Sequence, residues 1–218
     1  MEDWFQSGIS VATNETNANM YSIVHKTQGE IPVQFTIYDI AGEAFTLRGF
    51  ENQQLQFEYC EGIIVVIDPS GNPGEESIAI ATFINAFKGV KGLSAKKLSD
   101  IPVAVIISKA DLYKTEIGLP KIKFAYSKNS AQYIGADGQS DIYVARDVIC
   151  KEFLKNHGFG NVINEIEGTF NNIGVFPVSA MGHGADSTRT YTPWGVTEPV
   201  SWLLTTAKAP FPNIIATE

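Results

Sequence analysis

Three short apolar runs restrict what this chain can fold into: Gly62-Ile-Ile-Val-Val-Ile67, Ile101-Pro-Val-Ala-Val-Ile-Ile107 and Ile173-Gly-Val-Phe-Pro-Val178. A continuous run of this kind, with no polar residue on alternate positions, predicts a strand buried on both faces. That is the habit of a parallel sheet covered by helices. The stretches between the runs supply the helices. Glu75 to Lys91 repeats apolar residues at Ile80, Phe83, Ile84 and Phe87, which predicts about four turns. Asp141 to His157 places Ile142, Ala145, Ile149 and Phe153 on one face, with Gly158 as a C-terminal stop. Glu198 to Leu204 carries Pro199 in its first turn, where a missing N–H costs nothing, and its Trp202-Leu203-Leu204 face is expected in the core. Earlier, Val33, Phe35 and Ile37 alternate with Gln34, Thr36 and Tyr38, the period of a half-buried strand. Tyr21 to Thr27 and the turn Gln28-Gly29-Glu30 make this strand one arm of a hairpin. The fold class is therefore α/β.

At 218 residues the chain is expected to form a single domain, with neither repeat nor linker. Residues 1–20, rich in Thr, Asn and Ser, read as an exposed loop, and 113–140 as an insertion. A net charge of −8 argues against a broad nucleic-acid surface, which needs clustered Lys and Arg. It leaves room for a nucleotide, because one phosphate cradle needs only local donors. Cys60 and Cys150 have no metal-ligand spacing and form no disulfide framework, so a reducing compartment is expected. The start, Met1-Glu-Asp-Trp-Phe, lacks the character of a signal peptide, and no apolar run is long enough to span a bilayer. The expected location is the cytoplasm.

The chemistry sits at the strand ends. The Val33 strand runs into Asp39-Ile-Ala-Gly42-Glu43. The Ile101 strand ends in Ser108-Lys109-Ala-Asp111, the Ile173 strand in Ser179-Ala180-Met-Gly182, and the Ile63 strand in Asp68-Pro-Ser. In open α/β sheets ligands bind outside the carboxyl ends of the strands, so these clusters are expected on one rim. An acid at a strand tip suits a hydrated Mg²⁺, and a glycine lets backbone N–H approach a phosphate.

In order and spacing, Asp39-Ile-Ala-Gly42, Ser108-Lys109-Ala-Asp111 and Ser179-Ala180 resemble the later signature motifs of the Ras-like, translation-factor-related P-loop GTPases of bacterial double-GTPase type. The resemblance covers about Tyr21 to Leu204 and includes the Glu-Pro-x-x-Trp-Leu-Leu helix. It implies a three-layer, mostly parallel sheet with one antiparallel edge hairpin, binding GTP or GDP with Mg²⁺. Asp111 is then the acceptor for the guanine ring N–H and amine, the stem of Lys109 lies along the base, and Ser179-Ala180 forms the base loop with the Ala180 N–H on the guanine carbonyl. Asp39 holds Mg²⁺, the Gly42 N–H meets the terminal phosphate, and Glu43 stands where the pattern has a water-positioning Gln. Thr13 or Thr16 is the switch threonine that reaches the metal; the sequence does not choose between them. A regulatory role implies a protein effector or partner domain.

The chain departs from that pattern in one respect. It contains no Gly-x-x-x-x-Gly-Lys-Ser/Thr, the loop that cradles the phosphates, supplies the phosphate-binding Lys and carries a Mg²⁺ ligand. The resemblance places that loop and its strand before the switch region, centrally in the sheet between the Val33 and Ile63 strands. The expectation is a fragment, half of a split GTPase or a degenerate form, so hydrolysis is left open. Other readings compete. Ser108 to Asp111 can cap a helix. Ser179 to Gly182 can be an ordinary turn, and the whole domain can be a non-catalytic interaction module built on the fold. A further reading is another nucleotide-binding α/β enzyme, which adenine preference would favour. His25, His157 and His183 lack ligand spacing, and Gly158-Phe-Gly160 follows a helix rather than the strand a dinucleotide loop requires.

Overall fold

The computed structural model describes residues 19–25, 33–39, 54–94, 97–117, 142–183 and 190–207. The chain divides into two compact units, Met1–Gln56 and Phe57–Glu218. In the first, β1 (Asn19–His25) and β2 (Val33–Asp39) pair antiparallel, with Asn19 opposite Asp39 and His25 opposite Val33. The expected hairpin is present, and its first strand starts two residues earlier than the sequence pattern suggests.

The second unit begins with the end of α1 (Gln54–Tyr59) and holds β3 (Ile63–Ile67), α2 (Pro73–Lys91) and β4 (Val103–Ile107). A 3₁₀ turn over Ala110–Tyr113 leads directly into α3 (Lys114–Ile117). Then come α4 (Ile142–Leu154), a π turn over Lys155–Phe159, α5 (Gly160–Glu167), β5 (Ile173–Pro177) and α6 (Glu198–Thr206). The three strands form a parallel sheet in the order β3-β4-β5. The α/β class is therefore as the apolar runs predict. Residues 118–141, most of the expected insertion, lie outside the described residues.

Local chemistry accounts for the helix ends. Asn72 caps α2 by accepting from the Gly74 N–H at 3.0 Å, Pro73 occupies the first turn, and Gly92 ends the helix at φ +61°. Phe83, Ile84 and Phe87 form the buried stripe of α2 as predicted.

The sheet buries its two faces unequally. On one face Ala104 and Phe176 are buried under Leu203 and Trp202 of α6. On the other, Val65, Ile67, Val105, Ile107 and Val175 are buried, as are Phe83, Ile84 and Phe87 of α2 and Val162, Ile163 and Ile166 of α5, two helices that pack on each other. Ile64 and Val66 share the face of Ala104 and Phe176 but stand 41% and 62% exposed. This corrects the expectation that β3 is buried on both faces. It is an edge strand of this sheet, and α6 packs on β4 and β5. An apolar run records what a strand offers, not how much of it is covered.

The helix α4 and its C-terminal turn also depart from the sequence pattern. Of the predicted stripe, Phe153 is buried and Ile149 only half-buried, while Arg146, Cys150 and Leu154 are buried beside it. Nor does the helical path stop at Gly158: that residue takes φ +90° inside the π turn and α5 begins two residues later. The freedom of glycine there makes a kink, because Val162, Ile163 and Ile166 supply a buried stripe that rewards resuming the helix.

Candidate functional site

Because β3, β4 and β5 run parallel with Ile67, Ile107 and Pro177 in register, the polar residues after them emerge at one edge. Backbone bonds lock this rim. The Ser108 N–H donates to Ile67 O at 2.9 Å, Val178 N–H to Ile107 O at 2.9 Å, and Ala110 N–H to Val178 O at 3.1 Å. The Ser108 hydroxyl also donates to Ile67 O at 3.0 Å, so it fastens β4 to β3. It does not cap the adjoining 3₁₀ turn, whose N-cap position is Lys109 and carries no side-chain capping bond. Ala110, between the two charged residues, is fully buried and anchors the loop.

Asp111 and Ser179 meet across the rim. The Ser179 hydroxyl donates to Asp111 Oδ1 at 2.6 Å and accepts from the Gly182 N–H at 2.8 Å. Ser179 is 1% exposed, so this is a buried joint between the loops after β4 and β5. Asp111 itself is half-buried. An ionised carboxylate offers about four lone-pair positions, so Asp111 keeps capacity on both oxygens for two donors arriving together. Ala180, the next residue, is exposed.

The loop after β5 is braced by a segment that reads in the sequence as a plain polar loop. Ser179 and Trp194 exchange backbone bonds of 3.1 and 3.0 Å, and the Thr192 N–H donates to Met181 O at 3.0 Å. Gly182 takes φ +83°, and a Cβ there would lie 1.9 Å from Thr192 O, so this close pairing requires glycine. The Lys114 ammonium lies 5.4 Å from the centre of the Trp194 ring. Trp194, an aromatic residue within a polar stretch, is the signal that could have marked the brace.

Asp68, at the end of β3, completes the rim. Its Oδ1 accepts from the Ser70 N–H at 3.0 Å and the Ser70 hydroxyl at 2.7 Å, and its Oδ2 lies 2.6 Å from the Lys109 ammonium. Burial pushes the Asp68 carboxyl up, but the hydrogen bonds from Lys109 and Ser70 outweigh it and hold it below the usual carboxylate range. Donating that bond to Asp68 raises the pKa of Lys109. Glu76, in the first turn of α2, is pushed up to about 7, chiefly by burial and then by the negative charge of Asp68, against a hydrogen bond from the Asp68 N–H. The strand-end Asp-Pro-Ser pattern marked Asp68. Nothing in the sequence marked Glu76.

The remaining expected site residues fall within the first unit. Asp39 closes β2 in the first unit, and Gly42, Glu43, Thr13 and Thr16 lie outside the described residues. Among the described residues no group of three or more His, Cys, Asp or Glu could hold a metal ion. A shallow cavity of about 360 Å³ opens at the opposite, amino end of the sheet, beside Lys151, Glu167 and Ile173. Lys151 is already shared between Asp147 at 2.7 Å and Glu167 at 3.0 Å, so its charge is spent on structure.

Among the described residues, no helix is long and apolar enough to cross a membrane. Comparison of the chain with family models, with curated proteins and with solved structures gives no match in any of the three.

Proposed function

We propose that the rim is a guanine-recognition site, and that the chain is a guanine-nucleotide-binding, GTPase-like domain of regulatory type. The observation that carries the reading is the Asp111–Ser179 joint. A buried hydroxyl fixes one edge of a carboxylate at the carboxyl end of a parallel sheet and leaves the rest of it able to accept. Guanine presents a ring N–H and an amine side by side, and adenine has no such pair. Lys109 supplies an aliphatic stem beside that carboxylate, and Ala180 sits next to Ser179 on the braced loop. Site recognition of this kind is selective because a wrong base leaves a polar group unpaired.

The finer fold assignment, a P-loop GTPase-like sheet that lacks a strand, belongs to the same proposal. The bare flank of β3 supports it, since a sheet of buried parallel strands is not normally left with Ile64 and Val66 in water. A further strand along β3, with cover over those side chains, would complete the face. That bare flank equally favours the second reading, a GTPase-fold interaction module whose partner covers β3. GTP or GDP, Mg²⁺, hydrolysis and an effector protein come with the first reading and are proposed with it.

The test is calorimetric titration of the purified chain with GDP and GTP in Mg²⁺, against ADP and ATP. Selective heat with the guanine nucleotides supports the first reading. A folded chain that prefers adenine nucleotides, or takes neither, defeats it.

A further inference from the structure

Lys109 is, among the described residues, the one non-glycine residue at positive φ, +51°. A lysine held in that conformation on a binding rim raises the question of where its charge goes. Asp111 lies two residues away, and an ammonium released there has a carboxylate within reach of its flexible stem. In the structure it goes elsewhere. The strand order β3-β4-β5 puts Asp68 on one side of Lys109 and Ser179 on the other. Lys109 leans toward β3 and bonds Asp68 Oδ2 at 2.6 Å, while Asp111 leans toward β5 and bonds Ser179 at 2.6 Å. Asp68 is itself oriented, because both Ser70 donors hold its other oxygen.

We propose that Asp68 is a positioning residue of the base site, holding the Lys109 ammonium toward β3 so that it does not occupy the Asp111 carboxylate. The inference rests on the guanine reading and adds to it a specific role for the acid at the end of β3. The two side chains diverge from one short loop, and the space between them is where a flat ring would lie against the lysine stem. The lowered pKa of Asp68 and the raised pKa of Lys109 agree that the pair is charged and engaged. Glu76 is the other carboxyl near Asp68, and Tyr113 is the remaining group whose charge bears on Lys109.

The test is a double-mutant cycle on GDP affinity with Asp68→Asn, Lys109→Met and the double variant, each checked for folding by circular dichroism. Asparagine keeps an oxygen for the Ser70 donors and replaces the charged oxygen that faces Lys109 with a neutral amide nitrogen. Asp68→Asn is expected to weaken GDP binding about threefold to fivefold, the scale of an exposed ion pair, because Lys109 then moves onto Asp111. In the Lys109→Met background the same change is expected to have no further effect, since no ammonium is left to misplace. A purely structural role for Asp68 would weaken both backgrounds alike, and that result overturns the inference, as does an Asp68→Asn chain that binds like the parent. In both of those cases the parent still prefers GDP to ADP, so the guanine reading survives. A parent chain with no such preference removes the reading and this inference together.

Discussion

Replacing Glu76 with glutamine should stabilise the protein, and by an amount that grows with pH. The carboxyl moves from an ordinary value of 4.5 to about 7 on folding, through burial first and the nearby Asp68 charge second. The folded chain thus binds a proton that the unfolded chain releases between those two values. Stability is therefore lost as pH rises from 4.5 through about 7, and the cost is fully present above that window. At about 1.36 kcal/mol per unit, the displacement corresponds to roughly 3.4 kcal/mol. Glu76 is only partly shielded from water, which screens the interaction, so about 1–2 kcal/mol is the working figure. Glutamine has the same shape, can still accept from the Asp68 N–H and carries no charge. Urea unfolding detected by tryptophan fluorescence at pH 5 and pH 8 reads the difference. The expected gain at pH 8 is about 1–2 kcal/mol, at least twice that at pH 5. An equal gain at both pH values, or a loss at pH 8, would refute the reasoning.

Ser179→Ala removes the hydroxyl that joins Asp111 to the Gly182 N–H, and should cost about 1–3 kcal/mol in urea unfolding because buried polar groups lose their partner. Gly182→Ala forces a Cβ against Thr192 O at positive φ, so about 1–3 kcal/mol is expected from backbone strain alone. Hydrogen exchange should show the loss first at the Thr192 and Trp194 amides. Val66→Lys should change stability by less than about 0.5 kcal/mol, because the side chain stands in water. A loss of several kcal/mol in thermal unfolding would mean that β3 is covered in solution.

The strands were legible because β-branched runs bounded by polar turns admit few alternatives. The convergence of Asp68, Ser108 to Asp111 and Ser179 was legible as well, since parallel strands that end in register must present their ends together. Burial was not legible to the same degree. Ile64 and Val66 look like core residues in the sequence, and only the position of α6 over β4 and β5 shows that they are not. Gly158 reads as a helix stop because glycine is the usual one, yet in the fold it makes a kink before α5. Ser108 belongs to the motif that carries the resemblance, which does not reveal its bond to Ile67 O. The Asp68–Lys109 pair spans 41 positions, beyond the reach of any local pattern.

The central claim is that Asp111 reads the base, and it can be tested by changing what that residue accepts. Asp111→Asn turns one acceptor oxygen into a donor, which suits xanthine, whose carbonyl replaces the guanine amine. The measurement is titration of the parent and Asp111→Asn chains with GDP and with xanthosine diphosphate. If Asp111 reads the base, the parent prefers GDP and the variant reverses the preference by about tenfold or more, on the scale of one misplaced buried hydrogen bond. Two chains with the same preference would contradict it.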